Sequence, residues 1–133
     1  MFSHVMLGAN DIQESKAFYD AILGVLGYRS GYIDPMGRCF YMSGGDVFGL
    51  SVPIDGGSAS HGNGATIGFS VDSTDAADAW HAAGLTSGGS ACEDPPGVRE
   101  ASPNNMYLAY LRDPAGNKLC ACLLYTSDAA DDT

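Results

Sequence analysis

One stretch of this chain occurs twice. A shift of 62 residues aligns Val5 with Ile67, Leu7 with Phe69, Ala17 with Ala79, Phe18 with Trp80, Ala21 with Ala83 and Leu23 with Leu85. Each pair joins residues of similar character. A unit this long that appears only twice implies two modules related by a pseudo-twofold axis, since a solenoid needs at least three stacked repeats.

Each copy begins with a short apolar run and continues at helical spacing. Residues 4–9 suit a strand, and Asn10 with Gln13 three residues on is a variant of the capping box. Ile12, Ser15, Tyr19, Ile22 and Leu26 then recur on one helical face, widened by Phe18, until Gly24 and Gly27 stop the helix. Strands are expected at 28–33, 38–43 and 47–54, with turns at 34–37 and 44–46. Residues 55–64 are small, polar and glycine-rich and read as a linker. In the second copy, residues 66–71 read as a strand, and Asp72 or Ser73 caps a helix whose face is Ala76, Trp80 and Ala83 and whose end is Gly84. Strands at 106–112 and 118–123 follow, joined by a turn at 113–117. The expected fold is α+β: two βαβββ modules, at about 3–54 and 65–122, within one domain spanning 1–122.

Composition narrows the partners. The chain has 133 residues with six basic and sixteen acidic side chains, a formal charge of −10. That field repels phosphate backbones and anionic lipid, so neither nucleic acid nor a membrane surface is an expected partner. No apolar run reaches the roughly 18 residues of a membrane span, and no basic segment precedes an apolar stretch at the amino terminus. The four cysteines (Cys39, Cys92, Cys120, Cys122) form no Cys-x-x-Cys pair and read as reduced thiols in a cytoplasmic protein. No phosphate-binding loop, dinucleotide fingerprint or Gly-x-Ser-x-Gly motif occurs.

Four segments carry a resemblance to a known family. Residues 4–8 (HVMLG), 15–24 (SKAFYDAILG), 66–71 (TIGFSV) and 110–119 (YLRDPAGNKL) are similar to the vicinal oxygen chelate superfamily, which holds glyoxalase I, bleomycin-resistance proteins and extradiol dioxygenases. The last segment resembles the family's Asp-Pro-x-Gly-Asn turn before its final strand. The resemblance implies paired curved sheets around a ligand cup, and a homodimer whose cups are built at the interface. It also implies a divalent metal on four side chains, usually histidines and glutamates. His4 matches the first histidine. Thr66 stands where the second half carries its histidine, Cys120 falls at the glutamate of the last strand, and none of Gly49, Leu50 or Ser51 supplies the remaining carboxylate. With one ligand of four matched, no metal cofactor is expected. If a divalent ion binds at all, His4 and Cys120 are its donors, zinc being the ion that accepts nitrogen and sulfur together.

The ligand-binding residues expected from this reading are His4, Tyr41, Phe48, Thr66, Arg99, Tyr107 and Cys120. Arg99 could clamp a carboxylate or phosphate from its loop, although a surface ion pair is the plainer reading. Tyr41, Phe48, Tyr107 and Tyr110 offer aromatic lining, with alternation placing Tyr107 and Tyr110 on opposite faces. His61 reads as solvated in the linker and His81 as a half-buried packing residue.

The expected function is binding of a small organic molecule in the cup without a complete metal site, as in bleomycin-resistance proteins. The alternative is a metal-dependent glyoxalase-type lyase or dioxygenase with an altered ligand set, and a third reading is a member that retains no chemistry. Residues 122–132 resemble translated read-through of a sequencing-library adapter. That implies a metagenomic gene with a non-native tail at 123–133, packing against nothing from residue 126 on. Asp128, Asp131 and Asp132 carry three of the ten net negative charges, so −7 remains for the domain and the case for a cationic ligand weakens.

Overall fold

A computed structural model describes residues 1–100 and 105–123. The repeat is reproduced in its elements. Strand β1 (Val5–Gly8) and helix α1 (Ile12–Gly24) recur as β5 (Ile67–Ser70) and α2 (Thr74–Thr86), each bound shifted by the same 62 residues. Helix α1 begins at Asp11, whose extended backbone lets its carboxylate accept from the Glu14 amide at 3.1 Å. Asn10, expected as the cap, instead accepts from the Ala59 amide at 2.7 Å and ties the linker to β1. Ser73 caps α2, its hydroxyl accepting from the Ala76 amide at 3.0 Å.

Three further strands complete the first sheet: β2 (Tyr32–Ile33), β3 (Cys39–Ser43) and β4 (Asp46–Ser51), in the order β1-β4-β3-β2. β1 runs parallel to β4, and the other pairs are antiparallel. The β3–β4 hairpin turns on Gly44 and Gly45, both at positive φ (56° and 102°), which a type I′ turn demands. The strand expected from residue 28 pairs only over Tyr32–Ile33, because the backbone before it is drawn instead onto Asp20. The Gly31 amide donates to Asp20 at 2.8 Å.

The second sheet contains β5, β6 (Ser90–Ala91), β7 (Gly97–Val98), β8 (Tyr107–Arg112) and β9 (Lys118–Leu123), in the order β5-β9-β8-β6 with β7 also on β8. β6 and β7 have no apolar pattern of their own and exist only as partners of β8. The pairings Val5 with Phe48 and Ile67 with Leu119 make β4 and β9 counterparts. The Ser43–Asp46 hairpin therefore corresponds to the turn at 113–117.

Alternation gives each sheet one side covered by a helix. There Phe18, Tyr19 and Ile22 of α1 meet Trp80 of α2, Leu50, Leu111 and Leu119 in one fully buried core. The helices touch at Gly84, where an added Cβ would strike Leu111 and come within 3.2 Å of Ile22 and 3.3 Å of Phe18. That close approach explains why α2 does not stop at Gly84, as its residue type suggested, but continues to Thr86. The modules are also stitched by polar bonds. Tyr19 donates to Asp113 at 2.5 Å, and the Asn117 amide donates to Asp113 at 2.9 Å and to the Gly8 carbonyl at 3.0 Å. Asp113 and Asn117 are buried, so the Asp-Pro-x-Gly-Asn turn is a clamp between the halves.

On the opposite side of the first sheet, Met6, Tyr32 and Met42 stay exposed. No helix among the described residues is long and apolar enough to cross a membrane. Of the tail expected from residue 123, Leu123 closes β9, and the remainder lies outside the described residues.

Candidate functional site

A cavity of about 700 Å³ opens where the two modules meet. That is within the span of roughly 300–1,000 Å³ typical of small-molecule sites. Its walls come from the start of β1, the β3–β4 hairpin, the segment after α1 and the whole of β5. The topology explains the opening. Among the described residues β5 pairs only with β9 and its second edge borders no strand, and all four of its residues line the space. On the other side of the molecule the 113–117 turn closes onto Gly8. Its counterpart, the Ser43–Asp46 hairpin, makes no such bond among the described residues, and the cavity lies beside it.

The floor is aromatic. Phe48 and Phe69, one from each module, meet edge to face with ring centroids 5.5 Å apart. Tyr41 lies 6.1 Å from Phe48, and both pack on Tyr19 of α1, at 6.3 and 5.0 Å. Tyr41 and Phe48 thus stand on the helix-covered side of their sheet and serve as both core and cavity wall. The Tyr41 hydroxyl donates to Asp20 at 2.8 Å; burial first, and the adjoining Asp20 carboxylate second, raise its pKa. Burial also pushes up the Asp20 carboxyl, but hydrogen bonds from Lys16, Gly31, Tyr41 and Ser30 outweigh it and hold Asp20 below its ordinary value. The rim is polar: His4, Arg29, Ser43, Asp46 and Ser70. His4 is exposed, and its Nδ1 lies 2.7 Å from the Ser3 hydroxyl.

Of the seven residues expected to bind ligand, the structure brings His4, Tyr41 and Phe48 to this cavity. Thr66, Arg99, Tyr107 and Cys120 are not among its lining. The physical reasons differ. Tyr107 lies on the α2 side of β8 and donates to Asp78 at 2.6 Å. Cys120 and Tyr110 pair across β9 and β8 on the face of the second sheet away from α2. Arg99 donates to the carbonyls of Pro95, Gly97 and Asp94 and lies 5.6 Å over the Tyr110 ring, so it ties its own loop to that face. Phe40, Phe69, Arg29 and Asp46 line the cavity and were not anticipated. Phe69 was the one legible in advance, as the repeat partner of Leu7; Arg29 lies in the irregular segment after α1 and Asp46 at the first position of β4, and neither carries a pattern.

The four-ligand metal site implied by the family resemblance does not fit these side chains. Among the described residues no three His, Cys, Asp or Glu side chains gather so that they could hold an ion. Where a carboxylate would be needed, Gly49 has no room for a side chain: an added Cβ would lie 2.5 Å from the Met6 sulfur and 2.8 Å from the Phe40 ring. Leu50 is fully buried in the core. Burial, and secondarily Cys122, push the Cys120 thiol up to about 11, so at neutral pH it carries its proton.

Comparison with known proteins agrees with this fold. Residues 1–121 match the model of the Glyoxalase/Bleomycin resistance protein/Dioxygenase superfamily. The crystal structure of a glyoxalase/bleomycin resistance protein from Albidiferax ferrireducens T118 is similar at 53% identity and a TM-score of 0.89, covering 92% of this chain and 98% of that one. A putative glyoxalase from Bacillus halodurans has the same fold at 21% identity and a TM-score of 0.74, with 92% and 95% covered. A lactoylglutathione lyase from Agrobacterium tumefaciens shares it at 22% identity and 0.61, with 92% of each chain covered. No curated protein matches the sequence.

Proposed function

Because the chain belongs to the glyoxalase/bleomycin resistance protein/dioxygenase superfamily, we propose that it is a binder of small organic molecules, holding them in the cavity at the module seam without a metal centre. The observation that carries this reading is the aromatic floor: Phe48 and Phe69 present ring surface from both modules to a space large enough for a drug-sized ligand. A planar or amphipathic molecule fits such a floor, its polar end reaching the rim. A homodimer belongs to the same reading. Met6, Phe40 and Met42 form an apolar sheet face that continues into the cavity wall, and a second copy of the chain is the occupant proposed for it. The cysteines among the described residues are all unpaired, which supports placing the protein in the reducing cytoplasm.

Thermal melting in the presence of chelator tests the reading. A neutral aromatic probe, 3-phenylpropan-1-ol, should raise the Tm of the wild type. It should not raise that of Ser70→Trp, in which an indole placed on the exposed strand β5 fills the cavity. A stoichiometric divalent ion in the purified protein, with melting lowered by chelator and insensitive to the probe, would overturn it in favour of the metal-dependent lyase or dioxygenase.

A further inference from the structure

Among the described residues, one lysine or arginine lines the cavity. Of the six basic side chains, five are engaged within the fold. Lys16 pairs with Asp20, Arg38 with Asp34 and Lys118 with Glu93. Arg112 donates to the Gly116 carbonyl at 2.8 Å, and Arg99 donates to three carbonyls of its own loop. Arg29 alone has no hydrogen bond or ion pair among the described residues, and Arg29 lines the cavity.

Its backbone is nevertheless fixed on both sides. The Tyr28 amide donates to the Leu23 carbonyl at 3.1 Å. The Ser30 hydroxyl and Gly31 amide donate to Asp20 at 2.9 and 2.8 Å. Asp20 also receives Lys16 and Tyr41, so its carboxylate is filled by four donors and is not left to neutralise Arg29. The backbone of this segment is therefore held in place, while among the described residues the exposed guanidinium has no partner and is available to an anion. The setting makes such a contact necessary. A chain with a net charge of −10 repels anions in general, and Asp46 stands on the same rim, so an anionic ligand is retained only by a specific guanidinium contact.

We propose that the cavity's ligands are aromatic carboxylates, the ring resting on Phe48 and Phe69 and the carboxylate held by Arg29. This rests on the seam cavity being the binding site, and it reverses the preference for cationic ligands that the overall charge suggested.

Three probes with one skeleton test it on the full chain by isothermal titration calorimetry: 3-phenylpropanoate, 3-phenylpropan-1-ol and 3-phenylpropylamine. The propanoate should bind roughly tenfold more tightly than the alcohol, the scale of one charge-assisted hydrogen bond at a partly exposed site, and the amine no better than the alcohol. Arg29→Gln should erase the tenfold advantage and leave the alcohol's affinity unchanged, while Arg29→Lys should keep part of it. Equal binding of all three, or an advantage that survives Arg29→Gln, would overturn the carboxylate assignment while the cavity reading stands. Strongest binding by the amine would also overturn it, in favour of selection by Asp46. If none of the three binds, the cavity reading fails and the inference with it.

Discussion

Single side chains in this protein do two jobs where the modules meet. Asp113 accepts from Tyr19, from the amides of Ala115 and Asn117, and from the Asn117 side chain, all in a buried turn. Tyr19→Phe removes one of these bonds and should cost about 1 kcal/mol in urea melts, whereas Asp113→Ala strands four donors and should cost roughly 3 kcal/mol or more. Asp20 adds a pH dependence with a definite sign. Its folded pKa is held below the ordinary value, so its stabilising contribution is present above about pH 4 and is lost as pH falls through the depressed folded value. Asp20→Asn should therefore melt below the wild type at pH 7, with the gap closing as pH falls below the ordinary carboxylate range. A gap that stayed constant across this range would show that the carboxylate charge is not what holds residues 28–31.

At the level of elements, the two helices are set by what lies between them. Gly84→Val should lose about 2 kcal/mol, because the new side chain must displace Leu111, Ile22 and Phe18 from a filled core. Gly24→Ala, at the end of α1 with nothing within 4 Å of an added Cβ, should instead gain roughly 0.5 kcal/mol. The same contrast shows what a sequence reveals. The offset between Val5 and Ile67 carries through both helices, because caps and apolar spacing are local and each half repeats them. Gly84 misleads, since glycine ends helices on local grounds and only the approach of α1 explains it here. β6 and β7 are invisible for a related reason: two-residue strands owe their existence to β8 and to nothing in their own residues. The lining of the candidate cavity was legible in part. Tyr41 and Phe48 followed from strand position, and His4 from the family resemblance. Thr66 and Cys120 followed from the same family pattern and do not line the cavity, and Arg29 follows only from counting which cations have no partner among the described residues.

For the molecule as a whole, the pseudo-twofold is broken at the extra strand β7 and at the two ends of the module seam. The 113–117 turn seals one end of the module seam, the Ser43–Asp46 hairpin leaves the other end open, and the opening is lined with aromatic rings. If a second copy covers the Met6, Phe40 and Met42 face, then Met42→Asp should shift the protein from dimer to monomer in light-scattering chromatography while its far-ultraviolet spectrum stays unchanged. The central claim is about where an aromatic ligand goes. The most direct measurement is a two-dimensional amide NMR titration of isotope-labelled, chelator-treated protein with 3-phenylpropanoate. The account expects saturable shifts concentrated at residues 28–30, at the β3–β4 hairpin and along β5. Shifts confined to the face of the second sheet away from α2, around Tyr110 and Cys120, or shifts that appear only after a divalent ion is added, would contradict it.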